Sequence, residues 1–568
     1  MIGLSRTLRA FLIFLAVGII ASCSDGNEVE VYDVIIMNGT VYDGSGHAGV
    51  LADVGIRGDR IVAVGDLSGS VTTKVIDADG LAVAPGFINM LSWAVDSLIH
   101  DGRGLSDIKQ GVTLEIFGEG VSWGPFNEDL KETFKANQGD ITYDITWTTL
   151  GEYLDFITDK GISPNVASYV GATTVRMYYL GEDDIDPTPE QLEGMQELVR
   201  EAMREGAIGV ASSLIYAPAS YAETPELIAL VSAAVEYGGG YISHMRSEGK
   251  YLLEAVGELI TIARETGAHA EIYHLKAAGQ SNWGKLEEVF SMVEAARAEG
   301  LEITADMYTY IAGATGLDAS MPTWVQAGGF DAWVARLQDP EIRAEVIAEM
   351  QSGDVEWENL FHDAGPDGMM LVAFKNPDLR HYIGMTLTEV ALARGTTPAE
   401  TVLDLVIEDG SRVGTIYFLM TEENVKKQIA RPWVSFDSDA GALAPEGVFL
   451  LSGTHPRAYG NFARLLGKYV RDEKVISLAE AIRRLTSLPA ANIKIRDRGS
   501  LAPGFYADLA IFDPDKIQDH ATFAEPHQLA TGMVHVFVNG EQVLRDGEHT
   551  GAMPGRVVRG PGWTGWQD

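Results

Sequence analysis

Gly240-Tyr241-Ile242-Ser243-His244 and Ala270-Glu271-Ile272-Tyr273-His274 bracket the stretch that decides the fold. Each is a short run of strand-forming residues ending in histidine, with room for one helix between them. Each histidine is followed two places on by a cation, Arg246 and Lys276. The pattern continues outward. Gly209-Val210-Ala211-Ser212 precedes it and Glu302-Ile303-Thr304-Ala305 follows. Helix starts lie between such runs. Thr188-Pro189-Glu190-Gln191 and Thr397-Pro398-Ala399-Glu400 each offer an N-cap threonine, proline at the first helical position and a reciprocating Gln or Glu. Thr224-Pro225-Glu226 reads as a third start. Repeated strand–helix units over this length predict a (β/α)8 TIM-like barrel or a doubly wound sheet. No G-x-G-x-x-G opens a helix and no phosphate-binding G-x-x-x-x-G-K occurs, which counts against the nucleotide-binding sheet.

Both ends of the chain read as β. Tyr32 to Ile36, Val54 to Arg57, Arg60 to Val64 and Lys74 to Ile76 are strand-like, with a Gly58-Asp59 hairpin turn. Ala507 to Phe512 and Val534 to Val538 follow at the other end, the latter closed by Asn539-Gly540. The expected plan is α/β: a small β-sandwich from residues 24–83 and 491–568, flanking a barrel over 84–490. Between Asp306 and Val434 lie more residues than one strand–helix unit needs, so an inserted subdomain is expected at about 325–390.

Residues 1–23 are read as a leader. Arg6 and Arg9 precede a short apolar run from Ala10 to Ala21, the layout of a secretory signal. Ile20-Ala21-Ser22-Cys23 resembles the lipobox of bacterial lipoproteins, and Cys23 is the single cysteine. The expectation is an exported chain lipid-anchored through Cys23 in the cell envelope, on the outer membrane or periplasmic side in a Gram-negative host. One cysteine also excludes an intramolecular disulfide. The net charge of −39 repels nucleic acid and anionic membrane, leaving the lipid as the only membrane contact.

Two histidines at equivalent ends of successive strands place two imidazoles side by side at a barrel mouth, as a zinc site requires. Glu119, after the strand-like Val112 to Phe117, is a candidate third ligand. Asp437 and Asp439 follow the apolar Pro432-Trp433-Val434. An aspartate there suits metal binding and proton transfer with water, or equally a loop cap.

At these residues the chain resembles the D-aminoacylase branch of the amidohydrolase superfamily. The resemblance rests on Ala84-Pro85-Gly86-Phe87-Ile88, Ser243-His244-Met245-Arg246, His274-Leu275-Lys276-Ala277-Ala278-Gly279 with Asn282-Trp283-Gly284-Lys285, Thr304-Ala305-Asp306, Asp437-Ser438-Asp439, His455-Pro456-Arg457 and Leu501-Ala502-Pro503-Gly504 with Ala507-Asp508. It implies zinc-assisted hydrolysis of a linear amide, an N-acyl-D-amino acid. His244 and His274 would be metal ligands, joined by Glu119 where the family has a cysteine. Asp439 would be metal-associated general base and then acid. Lys276, Tyr308 and Arg457 would hold the carboxylate of a small-molecule substrate, a task suited to an Arg fork and a Lys charge.

The chain departs from the pattern at the first strand. Leu91 and Trp93 occupy the positions of the family's His-x-His pair, and Ala172 replaces a further histidine. The resemblance therefore implies one zinc per chain, not two, and a pocket reshaped by Trp93. His100 and His455 are not expected to be ligands. Two other readings stay open. One is a cyclic-amide hydrolase of the dihydroorotase kind. The other is an envelope binding protein on an inactive scaffold.

Overall fold

The computed structural model describes residues 31–566; the leader and Cys23 lie outside the described residues. Its centre is a closed barrel of eight parallel segments. Phe87–Asn89, Val112–Phe117 and Asn165–Ser168 pair in order. Past Tyr169 the third strand continues as Val170–Gly171 and pairs with Gly209–Ser213, followed by Gly240–His244, Ala270–Ile272 and Ile303–Ala305. Parallel bridges from Ala305 to Val434 and from Ala440 to Ser92 close the ring through the eighth segment.

Side-chain alternation divides each strand between two cores. Ile242 packs inside the barrel with Leu91, Leu114, Ile116 and Tyr273. Its neighbour Tyr241 faces outward among the helices that cover the barrel. His244, two residues beyond Ile242, therefore points inward at the mouth. The helices start where the sequence indicates. Thr188 with Gln191 and Thr397 with Glu400 form complete capping boxes. At the third start the N-cap is Glu223, and Thr224 is the first helical residue.

The two chain ends meet in one nine-stranded sheet. Ala82–Pro85 lies at the join, pairing with Val31–Val41 on one side and Leu509–Phe512 on the other. Ile36, Val54 and Ile61 share a core with Leu509, Ile511 and Phe537, so neither end buries its apolar face alone. The insertion has its own three-stranded antiparallel sheet, Gly313–Gly316, Gly414–Tyr417 and Met369–Ala373, and its own apolar core from Leu317 to Leu419. It is thus wider than residues 325–390. Its strands are only four or five residues long, and the edge strand Gly313–Gly316 and the central strand Gly414–Tyr417 carry glycine, so they read as loop. Among the described residues no helix is long and apolar enough to cross a membrane.

Candidate metal centre and active site

The site lies at the C-terminal ends of the barrel strands, where this architecture gathers its chemistry. Glu119 arrives through Gly118, whose φ is +109° and where a Cβ would stand 2.4 Å from the Tyr169 carbonyl oxygen. His274 has a φ of +33°, rare for a residue with a side chain. Asp306 holds that turn: its carboxylate accepts from the His274 N–H and its carbonyl from Leu275 N–H at 2.9 Å. Asp439 is also left-handed, at φ +44°, with its N–H donating to the Leu91 carbonyl at 3.0 Å.

Three of the expected donors converge. One atom each from Glu119, His244 and His274 lies within 4.8 Å of the others, and all three residues are buried. Glu119 Oε1 is 3.0 Å from His244 Nδ1 and 3.1 Å from His274 Nε2. Burial by itself would raise the Glu119 carboxyl, but hydrogen bonds from the two imidazoles outweigh it and hold the group well below the usual range. His244 Nε2 is buried without a hydrogen-bond partner. Two imidazoles and a carboxylate fit zinc by donor chemistry.

Asp439 is not part of that converging set. Arg457 Nη1 stands 2.8 Å from its Oδ2, and both residues line the same cavity as the donors. Burial raises the Asp439 carboxyl, with Arg457 opposing. Arg457 lies over the Tyr308 ring at 4.4 Å, and its Nε is buried without a hydrogen-bond partner. Lys276 does not stand free. Its Nζ is 2.6 Å from Glu248 Oε1 and 2.7 Å from His274 Nδ1.

Glu248 is the residue that sequence reasoning missed. It bridges Lys276 and His274 Nδ1, the latter at 3.0 Å, and approaches His244 Nε2 at 3.7 Å. Burial would raise its carboxyl; Lys276 and the two imidazoles pull it well below the ordinary value. Its only sequence signal is a carboxylate four residues after His244.

The replaced positions behave as side chains of their own kind. Leu91 is buried in the barrel interior. Trp93 lines the cavity and donates its indole N–H to Glu119 Oε2 at 2.9 Å, the carboxylate oxygen turned away from the histidines. Ala172 is the buried first residue of the helix Ala172–Leu180. His455 is used structurally: Nε2 meets the Ala312 carbonyl at 3.0 Å and Nδ1 meets the Arg457 N–H at 3.0 Å. His100 is exposed, with its ring against Phe449. The cavity holding the donors has a volume of about 500 Å³.

The chain is similar to known proteins over nearly its whole length. The profile of the Amidohydrolase family matches residues 74–544. D-aminoacylase of Alcaligenes xylosoxydans xylosoxydans is 32% identical over 536 residues, covering 94% of this chain and 98% of the relative. Two solved structures superpose over 93% of this chain and their entire length. One, D-aminoacylase, comes from work on its binuclear metal centre describing one-metal activation and second-metal attenuation, with a TM-score of 0.76 and 31% identity. The other is N-acyl-D-glutamate deacylase from Bordetella bronchiseptica with zinc and a phosphonate mimic of the tetrahedral intermediate, with a TM-score of 0.76 and 29% identity. A barrel mouth with three converging metal donors, on a chain matched nearly end to end, places this protein in the D-aminoacylase branch of the amidohydrolase family, as a hydrolase of carbon–nitrogen bonds other than peptide bonds.

Proposed function

We propose that the protein deacylates N-acyl-D-amino acids with a single zinc held by Glu119, His244 and His274. The observation that carries this reading is the convergence of those three donors in one cavity with Asp439. Zinc bound there supplies Lewis acidity to a water and to the scissile carbonyl. Asp439 takes a proton from the attacking water at its carboxylate and returns it to the leaving amine nitrogen; its raised proton affinity suits both transfers. The Arg457 guanidinium, with Nε free of hydrogen bonds, receives the substrate carboxylate. Tyr308 supports that guanidinium through its ring face. Lys276 adds positive charge while its contact with Glu248 keeps the His274 imidazole in place.

One metal is proposed because Leu91, Trp93 and Ala172 offer no imidazole to a second. The D-aminoacylase work describing one-metal activation supports an active mononuclear form. The test is zinc content and N-acyl-D-amino acid hydrolysis on chain beginning after Cys23, beside His244→Ala and Glu119→Ala. The expected result is about one zinc per chain, lost in both variants together with activity. A protein that takes up no zinc, or that stays active without it, overturns the proposal. Export and lipid anchoring through Cys23 belong to the same proposal, tested by the mass of the mature N-terminus.

A further inference from the structure

Two arginine–tyrosine–histidine stacks flank the metal donors. On one side Arg457 lies 4.4 Å over Tyr308, whose ring centroid is 6.4 Å from that of His274. On the other, Arg412 lies 4.9 Å over Tyr216, whose ring is 5.3 Å from His244. The first stack is assigned above to the carboxylate on the amine side of the scissile bond. The second has no role in that account, and it is built with equal care. Asp318, buried, holds Arg412 Nε at 2.8 Å, and Thr315 Oγ1 accepts from Nη2 at 3.3 Å. A Cβ at Gly316 would stand 2.2 Å from Asp318 Oδ1 and 2.7 Å from Arg412 Cβ, so the backbone there is closed tightly around the pair.

A guanidinium has five N–H donors. With Nε–H and one Nη2–H engaged, the terminal edge keeps a two-pronged fork. The Arg412 side chain is 52% exposed despite its buried anchor. It lines the donor cavity and also an adjoining cavity of about 570 Å³, the two meeting at Arg412, Gly316 and Gly414.

We infer that Arg412 and the second cavity form an acyl-group subsite for an anionic acyl chain, so that the preferred substrate carries a carboxylate on each side of the scissile amide. This rests on the proposed deacylation. With the scissile carbonyl at the donors and the amine-side carboxylate on Arg457, the acyl chain runs toward the opposite stack. A dicarboxylic acyl group of succinyl length ends in the planar, two-oxygen acceptor that an anchored Arg fork binds bidentately. A neutral chain of the same shape leaves that fork desolvated without a partner.

The test compares N-succinyl-D-leucine with N-(4-methylpentanoyl)-D-leucine, in which an isopropyl group replaces the carboxylate. Zinc-loaded wild type, Arg412→Lys and Arg412→Met are assayed, and succinate binding is followed by calorimetry in all three. Wild type should show kcat/KM at least about tenfold higher for the succinyl substrate, the scale of one charge-assisted pair. Arg412→Lys should retain part of that ratio, and Arg412→Met should bring it near unity and weaken succinate binding about tenfold. Hydrolysis of both substrates at equal kcat/KM, unchanged in Arg412→Met, overturns the subsite and leaves the deacylase reading intact. Arg412-dependent succinate binding without hydrolysis of any N-acyl-D-amino acid overturns the deacylase reading and keeps the anion site. If Arg412 instead governs N-acetyl-D-glutamate against N-acetyl-D-leucine, the placement on the acyl side is wrong.

Discussion

The sixth barrel strand carries a histidine at each end, and the two have opposite fates. His269 enters Ala270–Ile272 at the floor, and His274 leaves it at the mouth; both are buried. At the floor, burial disfavours the imidazolium and the cations Lys494 and Arg297 add to that, pushing His269 down to about 4. Its Nε2 meets Thr304 Oγ1 at 2.9 Å. At the mouth, burial and Lys276 act in the same direction, but Glu248 and Glu119 overcome them and raise His274 to about 10. Residue type and depth are the same, so neither defines the site. What differs is the company: at the mouth ionised carboxylates outweigh Lys276, whereas at the floor Lys494 and Arg297 act on the ring and the Glu271 carboxyl, bonded to the same Thr304 hydroxyl, is itself pushed up to about 7 by burial. Metal cations are drawn to the first arrangement and repelled by the second.

Substitution at the two ends gives the largest expected contrast. His274→Ala should lose most bound zinc and the hydrolytic activity with it, while His269→Ala should keep both at pH 7.5, read by metal analysis and by rate. Asp439→Asn separates the roles further. It removes proton transfer and not one of the three converging donors, so it should keep zinc and lose about 100- to 10,000-fold in kcat. Loss of zinc in Asp439→Asn would mean that the aspartate is a ligand and that the comparison has omitted a member of the mouth.

The mouth was partly legible in the sequence, and the floor histidine was not. His244 and His274 stood out because period-two runs end on them, and a barrel puts strand ends at one face. Asp439 was a candidate because it follows an apolar run, while its role as the base, and Arg457 altogether, came from motif resemblance. Local pattern could not show that they pair with each other, since Arg457 belongs to the helix after the eighth strand. Glu248 lies in an irregular segment where a carboxylate is unremarkable; only the folded chain aims it at His274 and Lys276. Arg412 was beyond reach for a related reason. It lies between Asp409 and Gly414 in an insertion whose strands are four or five residues long, so its approach to Tyr216 is a matter of tertiary packing alone. The two-ended β sheet was legible because its strands are apolar, strand-forming runs closed by the Gly58-Asp59 and Asn539-Gly540 turns, and the extent of the insertion was not, because its strands are too short to stand out from loop.

A smaller effect is expected from residues that touch the donors without being donors. Glu248→Gln keeps the shape but removes the charge that fixes His274 and Lys276; Trp93→Phe removes the indole N–H from Glu119 Oε2. Partners of this kind typically account for about 10- to 100-fold in metal affinity. Glu248→Gln should fall near the upper figure, having two charged partners at the mouth, and Trp93→Phe near the lower. Competition with a zinc chelator measures both. An unchanged affinity in Trp93→Phe would show that the tryptophan shapes the pocket without tuning Glu119, and would sharpen the mouth to its charged members.

The floor histidine supplies the smallest effect, on stability and not on rate. In the unfolded chain its pKa is about 6.5, and in the fold it is about 4. Above pH 6.5 the ring is neutral in both states and contributes nothing to the pH dependence. As pH falls from 6.5 toward 4 the unfolded state binds a proton that the folded state refuses, so stability declines through that window, by about 2–3 kcal/mol at pH 4.5. His269→Gln removes the titration and can keep a hydrogen bond to Thr304. Its denaturant unfolding should resemble wild type near pH 7, apart from any constant offset, and should fall less than wild type on going to pH 4.5. Parallel declines in the two proteins would place the acid sensitivity in other histidines whose imidazolium the fold disfavours, His455 first among them, and the floor would then be electrostatically silent across that window.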